Sequence, residues 1–230
     1  SKNILLTDIA IKLGLMQKNL NKFIFTSTSE VYSGAIDKGV ASIPTPENTQ
    51  LVIENSFSKR STYKLSKITG EALCLNSGLP ITIVRPHNIY GPRMGMSHVV
   101  PELIKKILFL KEGDKLDVFS VDHTRTFCYV DDAIQLFHLI LQNKKTTNQI
   151  LNMGVPGPEI KILELAKMLC TLSNKSIKIN ARENQEGSIS RRCPDMNKTI
   201  KLTNYKPEYD LKTGLTSTFN WYKQNINIYL

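Results

Sequence analysis

Two groups of residues in this 230-residue chain have types and spacings suited to proton chemistry. Tyr63 and Lys67 stand four apart, and on a helix that spacing puts both side chains on one face. A free tyrosine titrates near pH 10, too high for a base at neutrality. An ammonium one turn away favours the phenolate and lowers that value. The pair could then remove a proton from a hydroxyl. The second group is Thr28-Ser29-Glu30, hydroxyls and a carboxylate directly after the apolar run Phe23-Ile24-Phe25-Thr26. Tyr-x-x-x-Lys alone recurs by chance, and a surface aromatic beside a solvated lysine is its ordinary meaning. What gives it weight is position.

Position follows from the flanking elements. Lys22 to Thr26 reads as a buried parallel strand, and Ile81 to Val84 as another. Between them the spacing predicts a helix over 60–77, with Leu65, Ile68, Ala72 and Leu75 as its apolar stripe and Gly78 and Pro80 ending it. Strand, helix, strand implies a parallel sheet with a right-handed crossover. Ligands of such sheets bind beyond the carboxyl ends of the strands. Thr28, Glu30, Tyr63 and Lys67 would meet there. Upstream, Leu5, Ile9, Leu13 and Met16 predict a helix over 3–17. Residues 34–58, with Gly34, Gly39, Pro44 and Pro46, read as an irregular loop. Further helices are expected over 101–111, 130–142, 160–172 and 210–224, the last with Leu215, Phe219 and Tyr222 on one face.

Hydrophobic residues make up 41% of the chain, which fits one or two globular domains. No apolar run approaches the roughly 18 residues of a membrane span, and the first residues lack signal-peptide order. A cytoplasmic protein that does not engage a membrane is expected. Cys74, Cys128, Cys170 and Cys193 are scattered, so buried thiols are expected rather than disulfides or zinc. His87, His98, His123 and His138 show no ligand spacing, so no metal is assigned. The net charge is +10, which points to anionic partners. The lysines form no stripe with interleaved aromatics, so a phosphate-bearing small ligand is expected over nucleic acid. Asp131 and Asp132 stand where a helix should start and read as caps. Trp221 reads as a packing residue.

Five stretches in order carry a family resemblance: Phe23 to Tyr32, Thr62 to Glu71, Val84 to Arg93, Arg125 to Ala133, and the Arg192-to-Tyr222 region. They resemble the extended short-chain dehydrogenase/reductase family in its nucleotide-sugar epimerase/dehydratase branch. The Arg85-Pro86-His87-Asn88-Ile89-Tyr90-Gly91-Pro92-Arg93 run is the most specific of the set. The resemblance implies an α/β fold: the C-terminal part of a Rossmann-type parallel sheet with helices on both faces, plus a smaller α/β substrate-binding domain. Residues 1–85 would be the C-terminal half of the cofactor domain. Residues 86–230 would mainly bind the nucleotide sugar, with 122–150 returning to the cofactor domain.

The resemblance also implies roles. Thr28 would bond the sugar hydroxyl, Tyr63 would take its proton, and Lys67 would bind the nicotinamide ribose. A positively charged nicotinamide would lower the Tyr63 value further. Thr26, Ser27 and Pro86 would line the cofactor, which is NAD, with NADP left open. Ser29, Asn88, Arg93, Arg125 and Arg192 would contact a nucleotide-diphosphate sugar, arginine suiting phosphate through its planar fork. Arg93 could equally pair with a surface carboxylate. Members of the family pair through the helices at 3–17 and 60–77, so a homodimer is implied.

The branch opens its reactions by oxidising a sugar hydroxyl. Dehydratases then use an Asp-Glu pair after the threonine. Here the pair is Ser29-Glu30, which resembles the uronate decarboxylases; those also use a C-terminal arginine, for which Arg192 is a candidate. Glu30 could be catalytic or could bond nearby backbone N–H groups. A 4-epimerase type is expected first, with uronate decarboxylase next, 4,6-dehydratase less favoured, and a non-catalytic remnant or binding module as the reading of another class.

None of the 12 glycines forms the Gly-x-x-Gly-x-x-Gly turn that receives the cofactor pyrophosphate. The chain therefore reads as N-terminally incomplete, with residues 3–17 matching the helix before the threonine strand. The chain as written is expected to bind NAD weakly or not at all. Calorimetric titration checks this, and micromolar binding would contradict it.

Overall fold

The computed structural model describes residues 2–53, 59–184 and 188–229. In chain order the elements are α1 (Lys2–Leu15), β1 (Phe23–Thr26), α2 (Ser33–Asp37), α3 (Lys59–Leu75), β2 (Ile81–Pro86) and β3 (Ile89–Tyr90). Then come α4 (Val99–Phe109), β4 (Lys115–Phe119), β5 (Thr124–Arg125), β6 (Cys128–Tyr129), α5 (Val130–Gln142) and β7 (Gln149–Met153). The last are β8 (Ile160–Lys161), α6 (Ile162–Ser173), β9 (Lys178–Arg182), β10 (Arg191–Arg192), α7 (Asn197–Thr203) and α8 (Leu211–Asn225). No helix among the described residues is long and apolar enough to cross a membrane.

The chain divides into two units. The first holds residues 1–87, 134–156 and 194–206; the second holds 88–133, 157–193 and 207–230. The return to the first unit thus starts at Ile134, later than the expected 122, because β5 and β6 pair with strands of the second unit. It ends at Pro156 instead of 150, because β7 completes the first unit's sheet.

The first unit is built on a parallel sheet of order β1-β2-β7. Its β2 is buried along its length, Ile81 to Arg85, as a central strand must be. The expected full burial of β1 is not found. Phe23, Ile24 and Phe25 are half-buried, because β1 pairs on one side only, with β2. Ile11, Cys74, Ile81 and Ile83 form the apolar centre, with Phe23, Phe25, Leu79 and Ile150 against it. The Lys22 ammonium donates to Ile140 O, Asn143 O and Thr146 Oγ1, all at 2.6 Å, and so closes the carboxyl end of α5.

Both helices beside this sheet turn a different face inward from the one their apolar spacing suggests. Leu5, Ile9, Leu13 and Met16 of the α1 segment are exposed, and its buried positions are Thr7, Ile11 and Gly14. A Cβ at Gly14 would meet Leu79 Cδ1 at 2.8 Å, so close approach explains the small residue. In α3 Leu75 is exposed, whereas Ser61, Lys64, Ser66, Glu71 and Cys74 are buried. The expected loop at 34–58 is partly helical, since α2 covers Ser33–Asp37; residues 54–58 lie outside the described ones.

The second unit packs α4, α6 and α8 around β4, with Ile104, Ile107, Leu116, Leu165, Leu215 and Tyr222 among its buried centre. Here α4 starts at Val99, with Pro101 inside the first turn, where its missing N–H has no partner to lose. The helix expected from Ile160 begins at Ile162, because Ile160 and Lys161 pair with β5 as a strand. The Asp210 carboxylate caps α8, accepting from Thr213 N at 2.7 Å. All four cysteines are buried and none is in a disulfide.

Candidate functional site

The chemistry-bearing residues of the first unit gather at the carboxyl end of β1 and on α3. Thr28 follows β1 in extended conformation, φ −161° and ψ 152°, and caps a short 3-10 turn over Ser29–Tyr32. Its Oγ1 accepts from Glu30 N at 3.3 Å. Tyr63, in the first turns of α3, is 43% exposed, so its phenol is open to a ligand. One turn on, Lys67 is half-buried, and its Nζ donates to Thr26 O at 2.8 Å. Its ammonium lies 5.2 Å from the centre of the Phe25 ring. Burial lowers its pKa from the ordinary lysine value.

Ser27, expected from the sequence to line the cofactor, is bonded inward. It is 4% exposed, and its Oγ donates to Glu71 Oε1 at 2.5 Å. Ser29 is likewise 4% exposed, so the substrate contact expected of it has almost no surface to act through. Thr26 is exposed and offers its carbonyl to Lys67. Pro86 ends β2 in register with Met153, and the next residue is pinned by His87 N donating to Met153 O at 2.8 Å.

Under these residues lies a buried polar network that sequence reasoning missed. Glu71 takes a forked bond from Arg85: Nε to Oε1 at 2.9 Å and Nη2 to Oε2 at 2.6 Å. Both side chains are less than 5% exposed. The Arg85 Nη1 donates to Tyr32 Oη at 2.8 Å and to Glu47 O at 3.0 Å. Burial is the largest single influence on Arg85 and would lower its pKa, but the bonds and charges of Glu71 and Tyr32 together outweigh it, and the net shift is upward. Tyr32 is pushed up to about 12 by burial, against the pull of Arg85. It stays a neutral donor.

Tyr32 Oη donates to Asn152 Oδ1 at 2.9 Å. Asn152 Nδ2 donates to Thr45 O and Asp195 O, which fixes the amide's orientation. The Asn152 Oδ1 is therefore an acceptor, and His87 Nε2, 3.1 Å away, carries the proton. Asn152 N donates to Glu47 Oε1 at 2.9 Å, and Asn152 O accepts from Thr199 Oγ1 at 2.8 Å. A signal for Glu71 was present, since it continues the Tyr63, Lys67 spacing by one more turn. Nothing in the sequence marks Asn152.

The remaining candidates lie in the second unit. Asn88 stands at φ 41°, and its buried Nδ2 makes no hydrogen bond among the described residues. That orphaned donor fits a ligand. Arg93 is exposed, at φ 62°. The Arg125 guanidinium faces main-chain carbonyls: Thr124 O at 2.7 Å, Ser190 O at 3.2 Å and Ile189 O at 2.5 Å. It pins the strand-start at 189–190. Arg192, on β10, is 7% exposed. Asp132, read from the sequence as a cap, accepts from Glu208 N at 2.7 Å and Tyr209 N at 3.3 Å.

A model described as "NAD dependent epimerase/dehydratase family" matches residues 2–154. The UDP-N-acetyl-alpha-D-glucosaminuronate decarboxylase of Bacillus cytotoxicus is 32% identical, over 90% of this chain and 65% of that protein. UDP-glucuronic acid decarboxylase 3 of Arabidopsis thaliana is 31% identical, over 94% of this chain and 62% of that protein. The chain thus spans a little under two thirds of the length of these relatives. The crystal structure of UDP-glucuronic acid 4-epimerase from Bacillus cereus, in complex with UDP-glucuronic acid and NAD, superposes with a TM-score of 0.82 at 29% identity, covering 97% of this chain and 68% of that one.

Asn152→Ala strands Tyr32 Oη, His87 Nε2 and two carbonyls in a buried place. It is expected to lower unfolding free energy by about 3 kcal/mol or more. Denaturant unfolding reads this, and a loss below about 1 kcal/mol would contradict the network's role.

Proposed function

The chain belongs to the NAD dependent epimerase/dehydratase family, and on that premise we propose that the native gene product is a nucleotide-sugar enzyme of the 4-epimerase type, acting through a transient keto-sugar. The single observation that carries this is the exposed Tyr63 phenol one turn before the half-buried Lys67 ammonium, held at the strand end that presents Thr28. The substrate class is a UDP-uronic acid, since the similar Arabidopsis decarboxylase and Bacillus cereus epimerase are both UDP-glucuronic acid enzymes.

The residues present fit one end of the cofactor. Tyr63 and Lys67 suit the nicotinamide ribose, and Pro86 at the end of β2 suits the ring's neighbourhood. No glycine-rich pyrophosphate turn occurs in this sequence. Bound NAD supplies reversible acceptance of a hydride. Thr28 orients the C4 hydroxyl of the sugar. Tyr63, one turn before the Lys67 ammonium, would take the proton of that hydroxyl and would return it to the C4 oxygen once the configuration there is inverted. Asn88, Arg93, Arg125 and Arg192 are assigned to the nucleotide diphosphate, Asn88 with the strongest support because its buried amide donor makes no hydrogen bond among the described residues.

A second reading is decarboxylation. The 4-keto form of a uronic acid is a β-keto acid, which loses CO2 readily. Two decarboxylases are among the relatives, and Thr28-Ser29-Glu30 lacks the aspartate of the dehydratases. Incubation with UDP-glucuronic acid and excess NAD, followed by NMR of the products, decides. Inversion at C4 supports the epimerase, CO2 with a UDP-pentose selects the decarboxylase, and neither from folded protein rejects the enzyme reading. Tyr63→Phe is expected to lower kcat at least about 10²-fold with KM little changed; unchanged turnover removes Tyr63 from its role.

A homodimer is part of the proposal. Leu5, Leu6, Ile9 and Leu13 of α1 and Leu73 and Leu75 of α3 expose their apolar side chains, an arrangement suited to burial against a second copy. Light scattering is expected to give twice the 26.0 kDa chain mass for the protein as expressed. Ile9→Glu with Leu13→Glu should give the single-chain mass. A wild-type monomer would contradict the pairing.

A further inference from the structure

Glu71 is held apart from the groups assigned to proton transfer, yet it is tied to them from two sides. Its Oε1 accepts from Ser27 Oγ at 2.5 Å, and Ser27 is the residue before Thr28. Ser27 N donates to Val84 O at 2.8 Å, which extends the β1–β2 pairing by one residue. One turn earlier on α3, Lys67 Nζ donates to Thr26 O. Two successive turns of α3 are therefore bonded to two successive residues at the end of β1. The Glu71 end is in turn fixed by the Arg85 fork from the middle strand.

A buried ion pair is weak evidence for stability, because desolvation offsets most of its attraction, and apolar side chains of the same volume often serve as well. What those side chains cannot do is accept a hydrogen bond from Ser27. We propose that Glu71 is a positioning residue: through Ser27 and the Arg85 fork it sets where the end of β1 lies against α3, and so places Thr28 relative to Tyr63 and Lys67. This rests on the enzyme reading for its consequence in turnover but not for its geometry.

The test uses Glu71→Met with Arg85→Met, a pair of swaps expected to keep the fold, checked by circular dichroism. Ser27→Ala, which deletes one hydroxyl, is the second variant. In the native gene product the double variant is expected to lower kcat about 10²-fold, since ångström-scale misplacement costs that much, with KM within about twofold. Ser27→Ala should lower kcat about tenfold. Independently of turnover, the 13Cε signal of Lys67 is titrated by NMR. Lys67 starts below the ordinary ammonium value because it is half-buried. Its midpoint should rise in both variants as the displaced strand end lets water reach the ammonium.

If the wild-type protein turns over no nucleotide sugar, the enzyme reading fails, and the Lys67 midpoint alone decides the positioning. An unchanged midpoint in folded variants overturns the assignment. A raised midpoint with unchanged kcat overturns its part in the reaction. Should the double variant fail to fold, Ser27→Ala decides by the same two readings.

Discussion

The fork between Arg85 and Glu71 is the constraint on which the first unit depends. Two charges taken out of water are tolerated only when every donor and acceptor finds a partner in good geometry. Arg85 meets that demand by reaching Glu71, Tyr32 and the Glu47 carbonyl, and Glu71 by also taking the Ser27 hydroxyl. The demand propagates. Tyr32 must pass its proton on to Asn152, and Asn152 must find carbonyls for its amide and a donor for its own carbonyl. Loss of one member strands the others, and removing one partner of such a pair costs about 3–5 kcal/mol. Through this chain of obligations β2, α3, the end of β1, β7 and the segment after Pro194 hold one arrangement.

That dependence explains which parts of the molecule were legible in the sequence. The order of strand and helix was readable, because Phe23-Ile24-Phe25 and Ile81-Thr82-Ile83-Val84 are apolar runs and α3 has helical period. The Tyr63, Lys67 pair was readable because four-residue spacing is local. The inward face of α3 was misjudged. Periodicity arguments assume that the apolar side points in, and here Lys64, Ser66 and Glu71 do. Leu75 is left outside, while its neighbour Cys74 packs with Ile81 and Ile83 of the middle strand.

The Ser27–Glu71 and Tyr32–Asn152 bonds join residues far apart in sequence, and no local pattern announces such pairs. For the same reason the bond from the Ser27 hydroxyl to the helix could not be foreseen. In the second unit β4 was overlooked although Leu116 and Val118 alternate with polar neighbours. Its signal was readable, but its partner β9 lies some sixty residues later and gives it meaning only in the fold.

The chemistry follows from this frame. A phenol becomes a useful base when an ammonium is kept beside it, and an ammonium stays in place when its other contacts are rigid. Lys67 has such contacts in the Thr26 carbonyl and the Phe25 ring. The claim at the centre is oxidation at C4 with return of the same hydride. It is tested most directly with a UDP-uronic acid carrying deuterium at C4, supplied with NAD, and mass analysis of the product. The account predicts slowed turnover with the label retained at C4 of the product; label lost to solvent would contradict it.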